Sequence, residues 1–189
     1  MKRALQLMLI VSTLGLTWLG MMIVHELGHV FGAWLSGGTV SHVVLHPLAF
    51  SQTVLSDNPN PLFVVWCGPV FGVLIPLALL VAAAFVKAPG IYLLRFFAGF
   101  CLIANGAYLG IGVFDSVGDA GDLIELGASP WMLWVFGIVT FPAGFCLWHG
   151  LGPKFGFCQA RGRVSTHAAC VVTGLFVLVI LLEVMFSPV

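Results

Sequence analysis

The sequence predicts an all-α, polytopic membrane protein with about five transmembrane helices and a short β-hairpin between the first and the second helix. Hydrophobic residues make up 60% of the chain and charged residues only 7%, whereas a soluble domain has about 25% charged residues. The apolar residues are also gathered in stretches close to the roughly 20 residues that a helix needs to cross a bilayer. Both observations indicate an integral, multi-pass membrane protein, with the lipid bilayer as one of its partners.

Five apolar segments follow one another along the chain. They cover roughly residues 4–34, 62–86, 91–113, 130–150 and 167–186. The first follows two cationic residues, as in a signal peptide, but it is longer than the apolar region of about 7–15 residues typical of one, so we expect a mature helix. Because little of the chain lies outside the five segments, we expect a single membrane domain over residues 1–189.

The stretch between the first two apolar segments contains many β-branched residues and turn residues. The residues that favour strands are Thr39, Val40, Val43, Val44, Thr53 and Val54, and the groups that favour turns are Gly37-Gly38 and Asp57-Asn58-Pro59. This pattern predicts a hairpin. Since unpaired backbone groups cannot face lipid, we expect the hairpin to lie at the membrane interface or to line a cavity between the helices.

The positions of the cationic residues predict the orientation in the membrane. All seven lysine and arginine residues fall before the first apolar segment, between the second and third, or between the fourth and fifth. If the chain crosses the membrane five times, these places share one side, and the positive-inside rule puts the N-terminus in the cytoplasm. The small size and the lack of a targeting sequence favour a prokaryotic plasma membrane.

Charge and cysteine content disfavour two other kinds of site. The formal net charge is zero and no basic patch could neutralise a phosphate backbone, so we expect no nucleic-acid partner. The five cysteines include no CxxC pair, which is typical of small buried side chains rather than of a disulfide framework or a thiolate metal site. No feature of the sequence specifies an oligomeric state.

The first apolar segment contains three ionisable side chains within the sequence His25-Glu26-Leu27-Gly28-His29. On a helix, His25 and His29 lie one turn apart on one face, where both imidazoles can bind one zinc ion, and Glu26 can take a proton from the bound water. A charged residue at the membrane centre costs about 2.5–3.5 kcal/mol on insertion scales, so such groups usually mark a site. The motif predicts a zinc cofactor with Glu26 as the catalytic base. A structural or proton-relay cluster is the other interpretation.

A catalytic zinc site needs a third protein ligand from the same side of the membrane. The segment at residues 113–126 follows the third apolar segment and therefore returns to the side that the end of the first one reaches. It offers Asp115, Asp119 and Asp122 as candidates.

These motifs together resemble the site-2 protease family of intramembrane zinc metalloproteases. The resemblance rests on the histidine motif at the end of a membrane helix, on Gly68-Pro69 opening into the second apolar segment, and on Asp119-Ala120-Gly121 starting a new segment. It covers about residues 20–127. In that family the two motif histidines and the aspartate of a later Leu-Asp-Gly-Gly sequence bind zinc, the motif glutamate is the base, and the substrates are membrane-spanning segments.

The resemblance implies that His25, His29 and Asp119 bind zinc. The match at Asp119 has alanine in place of the first glycine. The family usually has an asparagine and prolines shortly before its aspartate, whereas no proline lies between Asn105 and Asp119. Asp115 is closer to Asn105 and is therefore the alternative third ligand.

The function implied is hydrolysis of a peptide bond in or next to a transmembrane segment of a membrane-protein or membrane-peptide substrate. A metalloprotease-like core would occupy about residues 4–127, with additional helices at about 130–150 and 167–186. The candidate substrate-binding residues are Asn105, His46, Gly68 and Pro69. The strand-prone segment 39–55 could pair with an unwound substrate by strand addition. Two alternatives stay open: a non-proteolytic binding or regulatory protein that retains the fold, and a metal or proton transporter.

Overall fold

The computed structural model describes residues 2–187, which form helices joined by one small hairpin. In chain order the elements are α1 Lys2–Leu35, β1 Thr39–Val44, β2 Gln52–Asp57, α2 Pro61–Phe85, α3 Ile91–Asp115, α4 Asp119–Glu125, α5 Pro130–Trp148 and α6 Thr166–Phe186, with short 3₁₀ turns at Gly152–Phe155 and Cys158–Ala160. Within the described residues, all of the helices except α4 are long and apolar enough to cross a membrane. The predicted fold class is therefore confirmed.

Helix α2 agrees with the predicted segment at residues 62–86, but Gly68-Pro69 does not open it as expected. The helix begins at Pro61, where the Asn60 side chain accepts a 3.3 Å hydrogen bond from the backbone N–H of Phe63. An asparagine cap followed by proline is a strong start signal, because proline needs no hydrogen-bond partner in the first turn. The Gly68-Pro69 pair consequently lies inside α2 and not at its beginning.

Helices α1 and α6 run parallel to each other. Leu9 of α1 packs with Ala169 and Val172 of α6, and further along both helices the hydroxyl oxygens of Ser12 and Thr173 are 2.8 Å apart. The starts of the two helices therefore lie at the same end of the bundle, as expected if α1, α2, α3, α5 and α6 cross the membrane in alternating directions.

Helices α1 and α2 approach each other closely at the histidine motif. A Cβ atom added at Gly28 would lie 2.9 Å from the Cα of Gly68, and one added at Gly32 would lie 2.8 Å from the Sγ of Cys67. Small residues allow helix backbones to come together in this way inside a membrane. The approach brings the backbone of α2 within hydrogen-bonding distance of the α1 side chains.

The two strands form an antiparallel hairpin, as the sequence predicts. Thr39 pairs with Asp57 at the open end and Val44 pairs with Gln52 near the turn. Close to the turn, the Leu45 N–H donates a 2.6 Å hydrogen bond to the Ser187 hydroxyl just beyond α6. The hairpin is thereby attached to the helices at the end of the bundle where α1 and α6 finish.

Candidate metal centre and its cavity

The three side chains of the histidine motif are buried together on α1. His25 and His29 are each 8% exposed and Glu26 is 3% exposed. The short helix α4 brings Asp119 to the same place: its Oδ2 lies 2.8 Å from the Nε2 of His25 and 3.4 Å from the Nε2 of His29. The two Nε2 atoms are 3.2 Å apart. Three potential ligand atoms therefore converge on one point.

The opposite nitrogens of the two imidazoles determine which ring atoms are protonated. The Nδ1 of His29 lies 3.0 Å from the carbonyl oxygen of Val64, and the Nδ1 of His25 lies 2.8 Å from the Oδ1 of Asn105. The Asn105 amide nitrogen donates to the Cys101 carbonyl oxygen at 2.9 Å, which assigns the orientation of the amide. Both Nδ1 atoms consequently donate, and in neutral rings both Nε2 atoms present lone pairs.

This arrangement requires a positive charge at its centre. Two Nε2 lone pairs and a carboxylate oxygen would repel one another unless a cation or a proton lay between them. None of the seven lysine and arginine residues lines the cavity at this point. Tetrahedral ligands at about 2.0–2.1 Å from zinc are about 3.3–3.4 Å from one another. The 3.2 Å and 3.4 Å distances match this spacing, while the 2.8 Å distance between His25 and Asp119 is that of a hydrogen bond and would have to lengthen around zinc. The site also has the hydrogen bonds to the far side of each imidazole that metal-binding histidines usually make.

The electrostatic environment keeps Asp119 in the form that binds metals. Burial would raise the pKa of Asp119. When His25 and His29 are protonated instead of metal-bound, the hydrogen bonds from their Nε2–H groups and their charges outweigh burial and hold the pKa of this carboxyl well below its usual range. Its backbone N–H donates a 2.9 Å hydrogen bond to the hydroxyl of Tyr108 on α3. Asp119 is therefore both ionised and fixed in position.

Glu26 lies beside the three ligand atoms and is held from the hairpin. The Thr53 hydroxyl of β2 donates a 2.7 Å hydrogen bond to the Oε2 of Glu26. This contact joins a strand to a helix across 27 residues of sequence. The hairpin thus fixes the orientation of the carboxylate that the sequence predicts to be the base.

A cavity of about 920 Å³ opens beside these residues. Its walls are formed by α1, β2, the loop before β2, the first turns of α2, α3 and the start of α4. Apolar lining residues include Trp18, Met21, Met22, Phe50 and Leu55. A mostly apolar cleft with a few convergent polar groups is the usual form of a binding site.

The structure separates the two candidates for the third ligand. Asp119 belongs to the cluster with His25 and His29, whose ligand atoms all lie within 4.8 Å of one another. Asp115 is exposed at the last residue of α3 and does not belong to that cluster. The assignment of zinc to either carboxylate stays a prediction.

The predicted substrate-binding residues lie in different surroundings. Asn105 is 1% exposed and contacts His25, while Gly68 packs against the imidazoles of both histidines. Pro69 is fully buried within α2. His46 lies in the hairpin turn, where its Nδ1 accepts from the Leu48 N–H at 3.3 Å. None of these four residues lines the described cavity, and their role toward a substrate stays a prediction.

Sequence reasoning missed three residues that contact the site. Thr53, Val64 and Tyr108 hold Glu26, His29 and Asp119 in turn. Their contacts connect positions far apart in sequence, so no local spacing indicates them. The β-branched character of Thr53 predicted its strand but not its contact with Glu26.

Comparison with known proteins gives one family. The family model described as Peptidase M50B-like matches residues 3–107, more than half of the chain, from α1 into α3. The match includes the histidine motif and Asn105, and it ends before Asp119. No curated protein and no solved structure matches the chain.

Proposed function

This chain belongs to the Peptidase M50B-like family, and from that premise we propose that it is an intramembrane zinc metalloprotease that hydrolyses a peptide bond in or next to a transmembrane segment. The observation that supports this most directly is the convergence of three ligand atoms, 2.8–3.4 Å apart, beside the buried carboxylate of Glu26. His25, His29 and Asp119 would hold zinc, which leaves a coordination position for water.

The chemistry divides between the ion and the residues around it. Bound zinc would supply a Lewis acid that lowers the pKa of a coordinated water to about 7. Glu26 takes the proton from the attacking water and later delivers it to the leaving amine nitrogen as the C–N bond breaks. The hydrogen bond from Thr53 holds the Glu26 carboxylate in the orientation for this proton transfer.

The apolar walls of the cavity support a membrane-embedded substrate. Trp18, Met21 and Met22 lie on the α1 turns before the histidine motif and face the cavity. Side chains of this kind can bind the apolar residues of a transmembrane segment once it enters between the helices. The positions of the cations support a cytoplasmic N-terminus, so the site would open toward the other side of the membrane.

Strand β2 supports a second part of the proposal, namely how a substrate is held. β2 pairs with β1 along one edge, and among the described residues no other strand pairs with it. Gln52, Thr53 and Leu55 of β2 line the cavity. An unwound substrate could add to this strand, which would expose a peptide bond that a helix protects.

The test is cleavage by the purified protein in detergent, with fluorescein-labelled casein as an unstructured probe substrate. We expect cleavage that stops when a chelator removes zinc and returns when zinc is restored. Glu26→Gln should abolish cleavage while zinc stays bound, because glutamine cannot take the proton. A binding protein or a transporter that retains the fold would show no cleavage in either form, and the proposal would then be wrong.

A further inference from the structure

Tyr108 is the polar side chain of α3 that reaches the cavity beside the metal centre. It lies one turn after Asn105 on α3, it is 40% exposed, and it lines the cavity. Its ring centroid is 6.0 Å from that of His25, with the two rings edge to face. The phenol therefore stands next to the ligand cluster without belonging to it.

The hydroxyl proton of Tyr108 is not donated to any other group of the described residues. Its oxygen accepts the N–H of Asp119 at 2.9 Å. A phenol has one proton to donate, and within residues 2–187 no protein acceptor for that proton is found. The residue before Asp119 makes the approach possible: a side chain at Gly118, which has φ of +59°, would overlap the hydroxyl of Tyr108. The start of α4 therefore packs directly against this hydroxyl.

Among the described residues, the other polar side chains that hydrogen-bond to the ligand cluster or to Glu26 already have partners. Ser51, Gln52 and Asn58 also line the cavity, but none of them hydrogen-bonds to the cluster. The Thr53 hydroxyl donates to Glu26. The Asn105 amide accepts from His25 and donates to Cys101, and it does not line the cavity. Glu26 and Asp119 are acceptors when ionised. Tyr108, which contacts both Asp119 and His25, is therefore the side chain next to the cluster with a donor for a reacting carbonyl oxygen.

We propose that Tyr108 is a catalytic residue that donates a hydrogen bond to the carbonyl oxygen of the scissile peptide bond as this oxygen becomes negative; the inference rests on the proposed function. Water adds its oxygen to the carbonyl carbon and gives one proton to Glu26, and the π electron pair of the carbonyl moves onto its oxygen. Tyr108 stabilises that charge. When the carbonyl re-forms, the C–N bond breaks and the amine leaves with the proton from Glu26.

The inference predicts tighter binding of a tetrahedral anion than of a planar amide, because catalytic donors act on the transition state. A dileucine phosphinic peptide, in which a phosphinate replaces the peptide bond, provides the tetrahedral anion. The same dileucine peptide with its amide bond provides the planar group. Both would be titrated by calorimetry into zinc-loaded Glu26→Gln protein, which cannot hydrolyse the amide, with and without Tyr108→Phe.

We expect Tyr108→Phe to weaken phosphinate binding by about 100-fold, the scale of one lost oxyanion donor. Amide binding and zinc content should be unchanged. The matched control is Tyr92→Phe, since Tyr92 is the only other tyrosine of the chain and its ring packs on Phe155 of the turn after α5. In the protein that retains Glu26, Tyr108→Phe should lower kcat for casein and leave KM unchanged.

Three results would overturn the inference. Equal phosphinate affinity with phenylalanine at position 108 would show that Tyr108 does not bind the anion, and the proposed function would stand. Loss of zinc in Tyr108→Phe would make Tyr108 a residue that only positions Asp119. If the Glu26→Gln protein with Tyr108 intact binds neither zinc nor phosphinate, the proposed function fails and the inference fails with it.

Discussion

Thr53 donates a 2.7 Å hydrogen bond to the Glu26 carboxylate, although Thr53 belongs to a strand and Glu26 to a helix. The contact gives the hairpin a part in the site beyond lining its cavity. A glutamate carboxylate, which follows three rotatable bonds, can turn in several directions. The hydroxyl selects the direction in which the Oε2 atom is held.

Thr53→Val is expected to lower the kcat for casein by about tenfold, since hydrogen bonds to charged groups contribute about 1.5–3 kcal/mol and a tenfold change corresponds to about 1.4 kcal/mol. Valine keeps the shape of threonine and removes the donor. Zinc content should not change, because Thr53 contacts none of the predicted ligands. The measurement is steady-state casein cleavage at matched zinc content.

Two further variants make the Thr53 result specific. Thr53→Ser retains a hydroxyl and should recover most of the rate. Thr39→Val changes an exposed threonine of the partner strand and should leave the rate as it is. A Thr53→Val protein as active as the unchanged protein would mean that the hairpin does not orient the base.

The fold could be predicted largely from hydropathy because the bilayer imposes a simple rule. A helix must supply about 20 apolar residues to cross it, and each of the five predicted segments overlaps a long helix of the structure. The hairpin followed from its β-branched residues and turn residues. The second segment was predicted from residue 62 and α2 begins at Pro61. Only the expectation that Gly68-Pro69 opens this segment was wrong, because Asn60-Pro61 is the stronger start signal.

The candidate site divides into a local part and a part that requires the fold. His25 and His29 lie one helical turn apart, so spacing alone brings their side chains together. Asp119 was predicted only from the resemblance of Asp119-Ala120-Gly121 to a family motif. The family-model match does not reach it, because that match ends at residue 107. Thr53, Val64 and Tyr108 contact the site only through the packing of separate elements, for which a single sequence has no periodic signal.

The third ligand can be identified by comparing two aspartates. Asp119→Asn should lose most of its bound zinc, because it replaces a charged oxygen ligand 2.8 Å from the Nε2 of His25 by a neutral amide. Asp115→Asn should keep its zinc, since Asp115 is exposed and outside the cluster. Elemental analysis of both purified variants makes the comparison. The reverse pattern would transfer the ligand role to Asp115.

Asn105 is expected to act on zinc affinity through His25. Its Oδ1 accepts from the Nδ1 of His25 at 2.8 Å, and such contacts behind a ligand usually alter metal affinity by about 10–100-fold. Asn105→Leu should therefore lose its zinc at a chelator concentration about 10–100-fold lower than the unchanged protein requires. Asn105→Asp retains an acceptor and should lose much less. Equal affinities in the two variants would show that this hydrogen bond does not orient His25.

Gly68 is expected to tolerate no side chain. A Cβ atom there would overlap the His29 imidazole and lie 2.9 Å from the Nε2 of His25. Gly68→Ala should consequently reduce zinc content and lower the thermal midpoint Tm of the protein in detergent. The control is Gly174→Ala on α6, where a Cβ would meet nothing within 4 Å and alanine favours the helix by about 1 kcal/mol. Full zinc content in Gly68→Ala would contradict the close packing of α2 on His29.

The most direct test of the central claim is the zinc content of the purified chain, measured by elemental analysis beside His29→Ala. The proposed metal centre predicts about one zinc per chain in the unchanged protein and a large loss in His29→Ala, which removes one of three protein ligands. Absence of stoichiometric zinc from the unchanged protein, even after zinc is supplied, would contradict the account and make His25, His29 and Asp119 a proton-handling or structural cluster.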